Sequence, residues 1–293
     1  MPTITLPHGD VDYRAAGPAA DEANGPPVVF VHGVLVGATL WSATADALAA
    51  HRIRSFAPDL PLGAHHRPLR DDAERTPRGM ARLVIDFIEA LGLDDVTLVG
   101  NDSGGAISQY VLDTDASRIG RVVLTNCDAF EVFPPRQLRQ FVTLLSHPAL
   151  LASAAQAMRS ARIRHGKLGF GPFANRYDAA VTAAWIEPLR RAEIRRDVSA
   201  VVRSIDAADL TEVGARLHRF GGPVRLVWGA DDPYFTLDLA RRLAAAFGDA
   251  EVVEVPGART FVPLDAPDRL AAEIVVLSSA IDSQLSFAQD RTG

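Results

Sequence analysis

The chain has 293 residues, 48% of them hydrophobic, a formal net charge of −6 and one cysteine, Cys127. That length and apolar content suit one large α/β domain, or a core domain carrying an insertion, and argue against disorder. The negative balance offers no overall attraction to phosphate backbones, a single cysteine cannot form an internal disulfide, and no window approaches the ~18 uncharged apolar residues of a membrane span.

Nucleic acid and membrane are therefore not expected partners. Met1-Pro2-Thr3 runs straight into strand-like alternation with no charged leader and apolar core, so a cytoplasmic location is expected. Residues 4–17 read as two short strands around His8-Gly9-Asp10, and PPVVFVHG (26–33) as a strand buried on both faces. Helical and strand patterns then alternate: helix 40–51, strand 53–60, helix 78–92, strand 96–102, helix 103–114 and strand 121–126. This alternation predicts an α/β fold with a mostly parallel, doubly wound sheet. From 131 to 218 the periodicity is helical throughout, opened by Pro134-Pro135 and followed by Gly221-Gly222-Pro223. Strand 224–232, helix 236–247, strand 251–258 and a helix near 266–280 restore the α/β pattern. The expected organisation is a core domain in two parts, 1–130 and 219–282, a helical cap over 131–218, and a flexible tail over 283–293.

LVGNDSGGA (98–106) ends an apolar run in a glycine-rich turn where Asp102 and Ser103 stand side by side. A nucleophile elbow strains its central residue, lifts that side chain above the sheet and needs small residues two positions away on both sides. Centred on Asp102 the flanks are Gly100 and Gly104; centred on Ser103 they are Asn101 and Gly105. The register therefore selects Asp102.

With its neighbours, this motif resembles the α/β-hydrolase superfamily, and within it the aspartate-nucleophile branch of haloalkane dehalogenases and epoxide hydrolases. The resemblance covers nearly the whole chain. VVFVHGVLVGATLW (28–41) is similar to the oxyanion segment, APDLPLG (57–63) to the loop after the fourth strand, VWGADDPYF (227–235) to the acid-bearing loop and VPGARTFVPLDAP (255–267) to the histidine-bearing loop. It implies an α/β-hydrolase fold with Asp102 as nucleophile, attacking a carbon that bears a leaving group to give an alkyl ester for water to hydrolyse. Backbone N–H groups of Val34 and Ser103 would hold the oxyanion. His32 would serve the turn, and Trp41 would line the pocket or, as expected, pack in the core. Asp232 is the expected supporting acid, with Asp128, just past strand 121–126, as the alternative.

The family pattern places histidine directly before the aromatic of the last loop, and here that position is Thr260. Threonine cannot accept a proton near neutral pH, nor can the adjacent Arg259. No histidine follows His218, so no shift of register restores the triad. Candidate substitute bases are His65 and His66, on a loop at the same end of the sheet, with His147 and His165 of the cap as weaker ones. Halide chemistry meets a further departure, because the positions at which dehalogenases typically hold the leaving ion carry Ser103 and Val34. The tyrosines that activate an epoxide are reduced to one in the cap, Tyr177.

The cap segment has thirteen Lys plus Arg against eight Asp plus Glu, a net of +5, with Arg159, Arg162, Arg164, Lys167 and Arg176 clustered in its middle. The expected protein is a cofactor-independent, metal-free hydrolase acting on a small apolar or partly anionic molecule. Self-association into a homodimer is left open. The competing readings are a lyase, isomerase or cyclase that uses Asp102 to move protons, and an inactive small-molecule binder.

Overall fold

The computed structural model describes residues 1–248 and 250–289, with side chains as far as residue 278. Its strands are β1 (Thr3–Leu6), β2 (Gly9–Ala16), β3 (Val28–Val31), β4 (Ser55–Pro58), β5 (Val96–Asp102), β6 (Ile119–Cys127), β7 (Val224–Gly229) and β8 (Ala250–Val255). They form a single sheet in the order β1-β2-β4-β3-β5-β6-β7-β8. β2 pairs antiparallel with β1 and β4, and the six strands from β4 to β8 are parallel. This is the mostly parallel, doubly wound sheet expected from the sequence.

The α-helices are α1 (Ser42–Ala50), α2 (Pro77–Ala90), α3 (Ser103–Thr114), α4 (Arg139–Leu145), α5 (Pro148–Met158), α6 (Ala161–Arg164), α7 (Ala179–Ile186), α8 (Ala192–Arg203), α9 (Ala207–Gly214), α10 (Leu237–Phe247), α11 (Val262–Asp265) and α12 (Pro267–Gln289). The run from α4 to α9 is inserted between β6 and β7 and contains no named strand. The flexible tail expected over 283–293 overlaps the end of α12, and residues 290–293 lie outside the described residues.

Alternation along the central strands divides the interior into two cores. Val29 and Val31 of β3 join one cluster with α2, α3 and α10, while Val28 and Phe30 join the other with α1, α12 and much of the cap. Leu226 and Trp228 of β7 face the first cluster and Val227 the second. Such double burial explains why these strands read as continuous apolar runs. α2 starts cleanly because the Thr76 hydroxyl accepts the Gly79 N–H at 2.9 Å and Pro77 occupies the first turn, where its missing N–H costs nothing.

Buried polar contacts pin the inserted helices to the core. Asp197 of α8, fully buried, accepts from the Leu69 N–H and from Arg75 Nε, each at 2.8 Å. Its pKa is lowered to about 2: burial opposes the shift, but the nearby His65 ring and the hydrogen bonds from Arg75 and the Leu69 amide outweigh it. Trp185 Nε1 of α7 donates to the Thr39 hydroxyl at 2.7 Å.

Packing is close around the β5-to-α3 turn. A Cβ added at Gly104 would lie 2.1 Å from the Val31 carbonyl oxygen, and one at Gly105 would lie 2.3 Å from Cys127 Cβ. Gly104→Ala is therefore expected to cost about 1–3 kcal/mol or more, since buried backbone must move to admit the methyl. A urea titration should show the lowered midpoint; an unchanged midpoint would mean that the turn is less constrained than these contacts require.

Candidate active site

Asp102 closes β5 and caps α3 with φ 56° and ψ −133°, a conformation that side chains other than glycine rarely adopt. The turn is held by the absence of side chains around it. A Cβ at Gly100 would meet Ser108 Oγ at 2.6 Å, and one at Gly33 would meet Asp102 Oδ2 at 2.4 Å. The Asp102 carboxylate thus lies directly over the His32-Gly33-Val34 turn that follows β3.

A cavity opens above this turn, between the strand ends and the inserted helices. Its wall is apolar, with Phe141, Leu145, Phe170, Phe173 and Phe261 among the large side chains. The polar residues reaching it are Asp102, Ser103 and Asp128. No lysine, arginine or histidine among the described residues lines it. Phe173 stacks on Phe261 with ring centroids 5.4 Å apart, closing the wall on the side of the last loop.

The sequence-selected residues occupy distinct places around this cavity. Val34 and Ser103 line it, but the Val34 N–H is already donated to Ser103 Oγ at 2.9 Å. The Ser103 backbone N–H acts on the Asp102 carboxyl, opposing the upward push of burial on its pKa. His32 is fully buried beneath the turn: its Nε2 accepts the Leu60 N–H at 2.9 Å, which leaves Nδ1 to donate to the Gly33 carbonyl at 2.9 Å. Desolvation, the largest cause, lowers its pKa to about 4, so the ring is neutral with both nitrogens engaged. Trp41 is buried and stacked on Phe30 at 4.6 Å, within the core and away from the cavity.

Asp232, after β7, is gripped by four donors. Its Oδ2 accepts from Thr260 Oγ1 and Asn126 Nδ2, each at 2.8 Å, and its Oδ1 from the Tyr234 and Phe235 N–H groups at 2.7 and 3.1 Å. Burial still raises its pKa despite these donors. Thr260 thus contacts the acid loop from the place where the resemblance calls for histidine, and it is fully buried. Asp128 differs: it is 3% exposed, lines the cavity and has an Oδ1 with no hydrogen-bond partner.

His65 and His66 do not reach the cavity. His65 is buried with Nε2 3.5 Å from Asp197 and Nδ1 accepting the Gly63 N–H at 3.3 Å, while His66 is exposed. His147 is exposed, and His165 lies against Tyr177 with Nε2 2.8 Å from the Thr182 hydroxyl. Tyr177 is turned into the cap, where its hydroxyl donates to the Phe170 carbonyl and accepts the Ala174 N–H at 2.8 Å. Of the clustered cap cations, Arg159, Arg162, Lys167 and Arg176 are exposed. Arg164 is buried and spent on the carbonyls of Met158, Arg159 and Ala179 and the hydroxyl of Thr182.

Two buried amides escaped the sequence reading. Asn126 ties the tip of β6 to the acid loop, accepting the Gly229 N–H at 2.6 Å and donating to Asp232. Asn101, next to Asp102, donates to the Thr260 carbonyl at 2.6 Å and to the Thr125 hydroxyl at 2.7 Å. Polar residues within otherwise apolar strand runs, Asn101 in LVGND and Asn126 in VVLTN, were the available signal, since buried amides need partners.

Desolvation raises the Asp102 pKa to about 7, with the Asp232 charge as the second cause and the Ser103 N–H opposing. Burial pushes Asp128 well up, with Asp102 adding to it. Two cavity carboxyls without a cation between them thus favour a protonated member near neutrality.

A model of the α/β hydrolase fold family matches residues 26–267. Haloalkane dehalogenase 2 of Mycobacterium tuberculosis is 32% identical over 263 residues, covering 87% of this chain and 88% of that protein. Among solved structures, an ancestral haloalkane dehalogenase superposes with TM-score 0.78 at 17% identity, covering 97% of this chain and 100% of that one. An epoxide hydrolase without ligand gives TM-score 0.73 at 19% identity, with 95% and 98% covered. These two structural matches bear on the fold alone.

Two outcomes follow from the geometry. Thr260→Val removes one of the four donors to Asp232 and is expected to cost about 1–3 kcal/mol, measured by urea unfolding at pH 7. Because the folded-state pKa of Asp102 is raised, its contribution to stability is fully present below the ordinary carboxylate range and is lost as pH rises through about 7. Asp102→Asn is therefore expected to gain on the wild type between pH 5 and pH 8, on the order of 1–2 kcal/mol. A pH-independent difference in Tm would remove the argument for a raised carboxyl.

Proposed function

Because the chain belongs to the α/β-hydrolase-fold family and is dehalogenase-like in sequence, we propose that it hydrolyses small, uncharged, apolar molecules at a saturated carbon, with Asp102 as nucleophile. The observation that carries this reading is the strained Asp102, presented at the floor of an apolar cavity between three crowded glycines. One Asp102 oxygen attacks the carbon, the leaving group departs, and an alkyl ester remains. Water then adds to the Asp102 carbonyl carbon, and the ester C–O bond breaks to release an alcohol.

The oxyanion of the second step would lie beside the Ser103 N–H. Ser103 Oγ accepts from the Val34 N–H, which leaves the hydroxyl proton free to point at the same oxyanion. Val34 then acts through Ser103 in place of the direct contact that the sequence suggested. The uncharged substrate class follows from the lining: no cation among the described residues meets the cavity, so an anion would be buried beside carboxyls without compensation. The haloalkane dehalogenase relative supports a carbon–halogen bond as one target, and a strained ether, open to the same displacement by a carboxylate, is another.

Thr260 in place of histidine favours a second reading, in which Asp102 moves a proton without forming an ester. The two readings part in labelled water. Under ester chemistry, single turnover in H₂¹⁸O places label in the Asp102 carboxylate, and Asp102→Asn lowers turnover by about 10³-fold or more. Turnover that depends on Asp102 but leaves both protein and product unlabelled would replace hydrolysis with proton transfer.

A further inference from the structure

We propose that the Asp128 carboxyl shares a proton with Asp102 and performs the general acid–base work that no imidazole among the described cavity-lining residues can supply. This rests on the reading that Asp102 is alkylated. The two carboxyls stand at the tips of neighbouring parallel strands: Asp102 is in register with Cys127, and Asp128 is the next residue. Both line the same cavity, and Asp128 Oδ1 is buried there without a partner.

The alternatives are otherwise occupied. Asp232 does not line the cavity, and both its oxygens are taken by the four donors described above. No histidine among the described residues lines the cavity. Cys127 is fully buried against Gly105, and burial raises its thiol pKa well up, so it is not a base. The charge of Asp232 acts on Asp102 and that of Asp102 on Asp128, both Asp102 and Asp128 add to the rise at Cys127, and no cation among the cavity-lining residues stabilises a doubly ionised pair.

The chemistry balances with one proton on the pair. In the resting state Asp102 is the carboxylate and Asp128 the acid. If the leaving atom is the oxygen of a strained ether, ring opening forms the Asp102–carbon bond and the Asp128 proton passes to that oxygen. If the leaving group is a halide, it departs as the anion. The Asp102 charge, which adds to burial in keeping the proton on Asp128, is then gone, and the proton is released to solvent. In both cases Asp128 becomes a carboxylate when a base is needed. It takes a proton from water as the water oxygen bonds to Asp102 Cγ, then returns that proton to the departing alkoxide. Asp102 now carries the hydroxyl proton from water, so the pair again holds one proton. An ionisation of this kind, triggered by loss of a neighbouring charge, needs no residue to move.

The test uses the full chain with 1-iodobutane and 1,2-epoxybutane, comparing wild type, Asp128→Asn, Asp128→Glu and Asp102→Asn by intact mass, peptide mapping and product release. With 1-iodobutane, Asp128→Asn should form the butyl ester on Asp102 and retain it, with product release falling by ~10²–10⁴-fold. Asp128→Glu should recover part of that loss. Clearance of the ester by Asp128→Asn at the wild-type rate overturns the role of Asp128 and leaves Asp102 alkylation standing. Asp102→Asn that still turns over either probe overturns the nucleophile reading itself. Infrared titration with ¹³C-aspartate tests the pair without substrate: wild type should carry one more protonated carboxyl at pH 7 than Asp128→Asn, and equal numbers overturn the shared proton.

Discussion

The molecule is organised around one crowded turn. Asp102 holds a conformation costing of order 1–3 kcal/mol, and it stays there because β3, β5 and α3 approach too closely for any Cβ at Gly33, Gly100 or Gly104. Everything else at the site is referred to that fixed point. The carboxylate is set over the turn after β3, its flanking Ser103 reaches across to the Val34 N–H, and Asn101 reaches the loop after β8. The parallel sheet supplies the register that brings these strand ends to one side.

Electrostatics then distinguishes three aspartates that look equivalent in the sequence. Asp232 is buried but held by four hydrogen bonds, which oppose the upward push of burial on its pKa and anchor its loop through Asn126 and Thr260. Asp102 and Asp128 are buried against an apolar cavity with few donors, and burial favours their protonated forms. The same low-dielectric surroundings that make an unpaired carboxylate costly make a proton exchanged between two carboxyls inexpensive. If the two carboxyls share a proton, a cavity with no histidine among its described lining residues keeps a means of moving protons.

The inserted helices contribute shape more than charge. Their net positive balance suggested attraction of an anion, yet the clustered cations are exposed or, like Arg164, consumed by backbone carbonyls. What faces Asp102 is aromatic and aliphatic. The cap is held by buried polar contacts such as Asp197 with Arg75 and the Leu69 amide, well away from the cavity.

The sequence by itself determined the strands, their parallel arrangement and the turn at Asp102, because double burial imposes continuous apolar runs and a strained turn needs small residues two positions away. It also showed that Thr260 stands where histidine is expected. Only tertiary structure decided that His65 points at Asp197 and that the Val34 N–H is taken by Ser103. It alone distinguished the saturated Asp232 from Asp128, whose Oδ1 is orphaned. Those distinctions depend on which groups converge from strands and loops far apart in the chain. Hydrogen-bond satisfaction and desolvation are properties of that convergence, and no local pattern of residues encodes them.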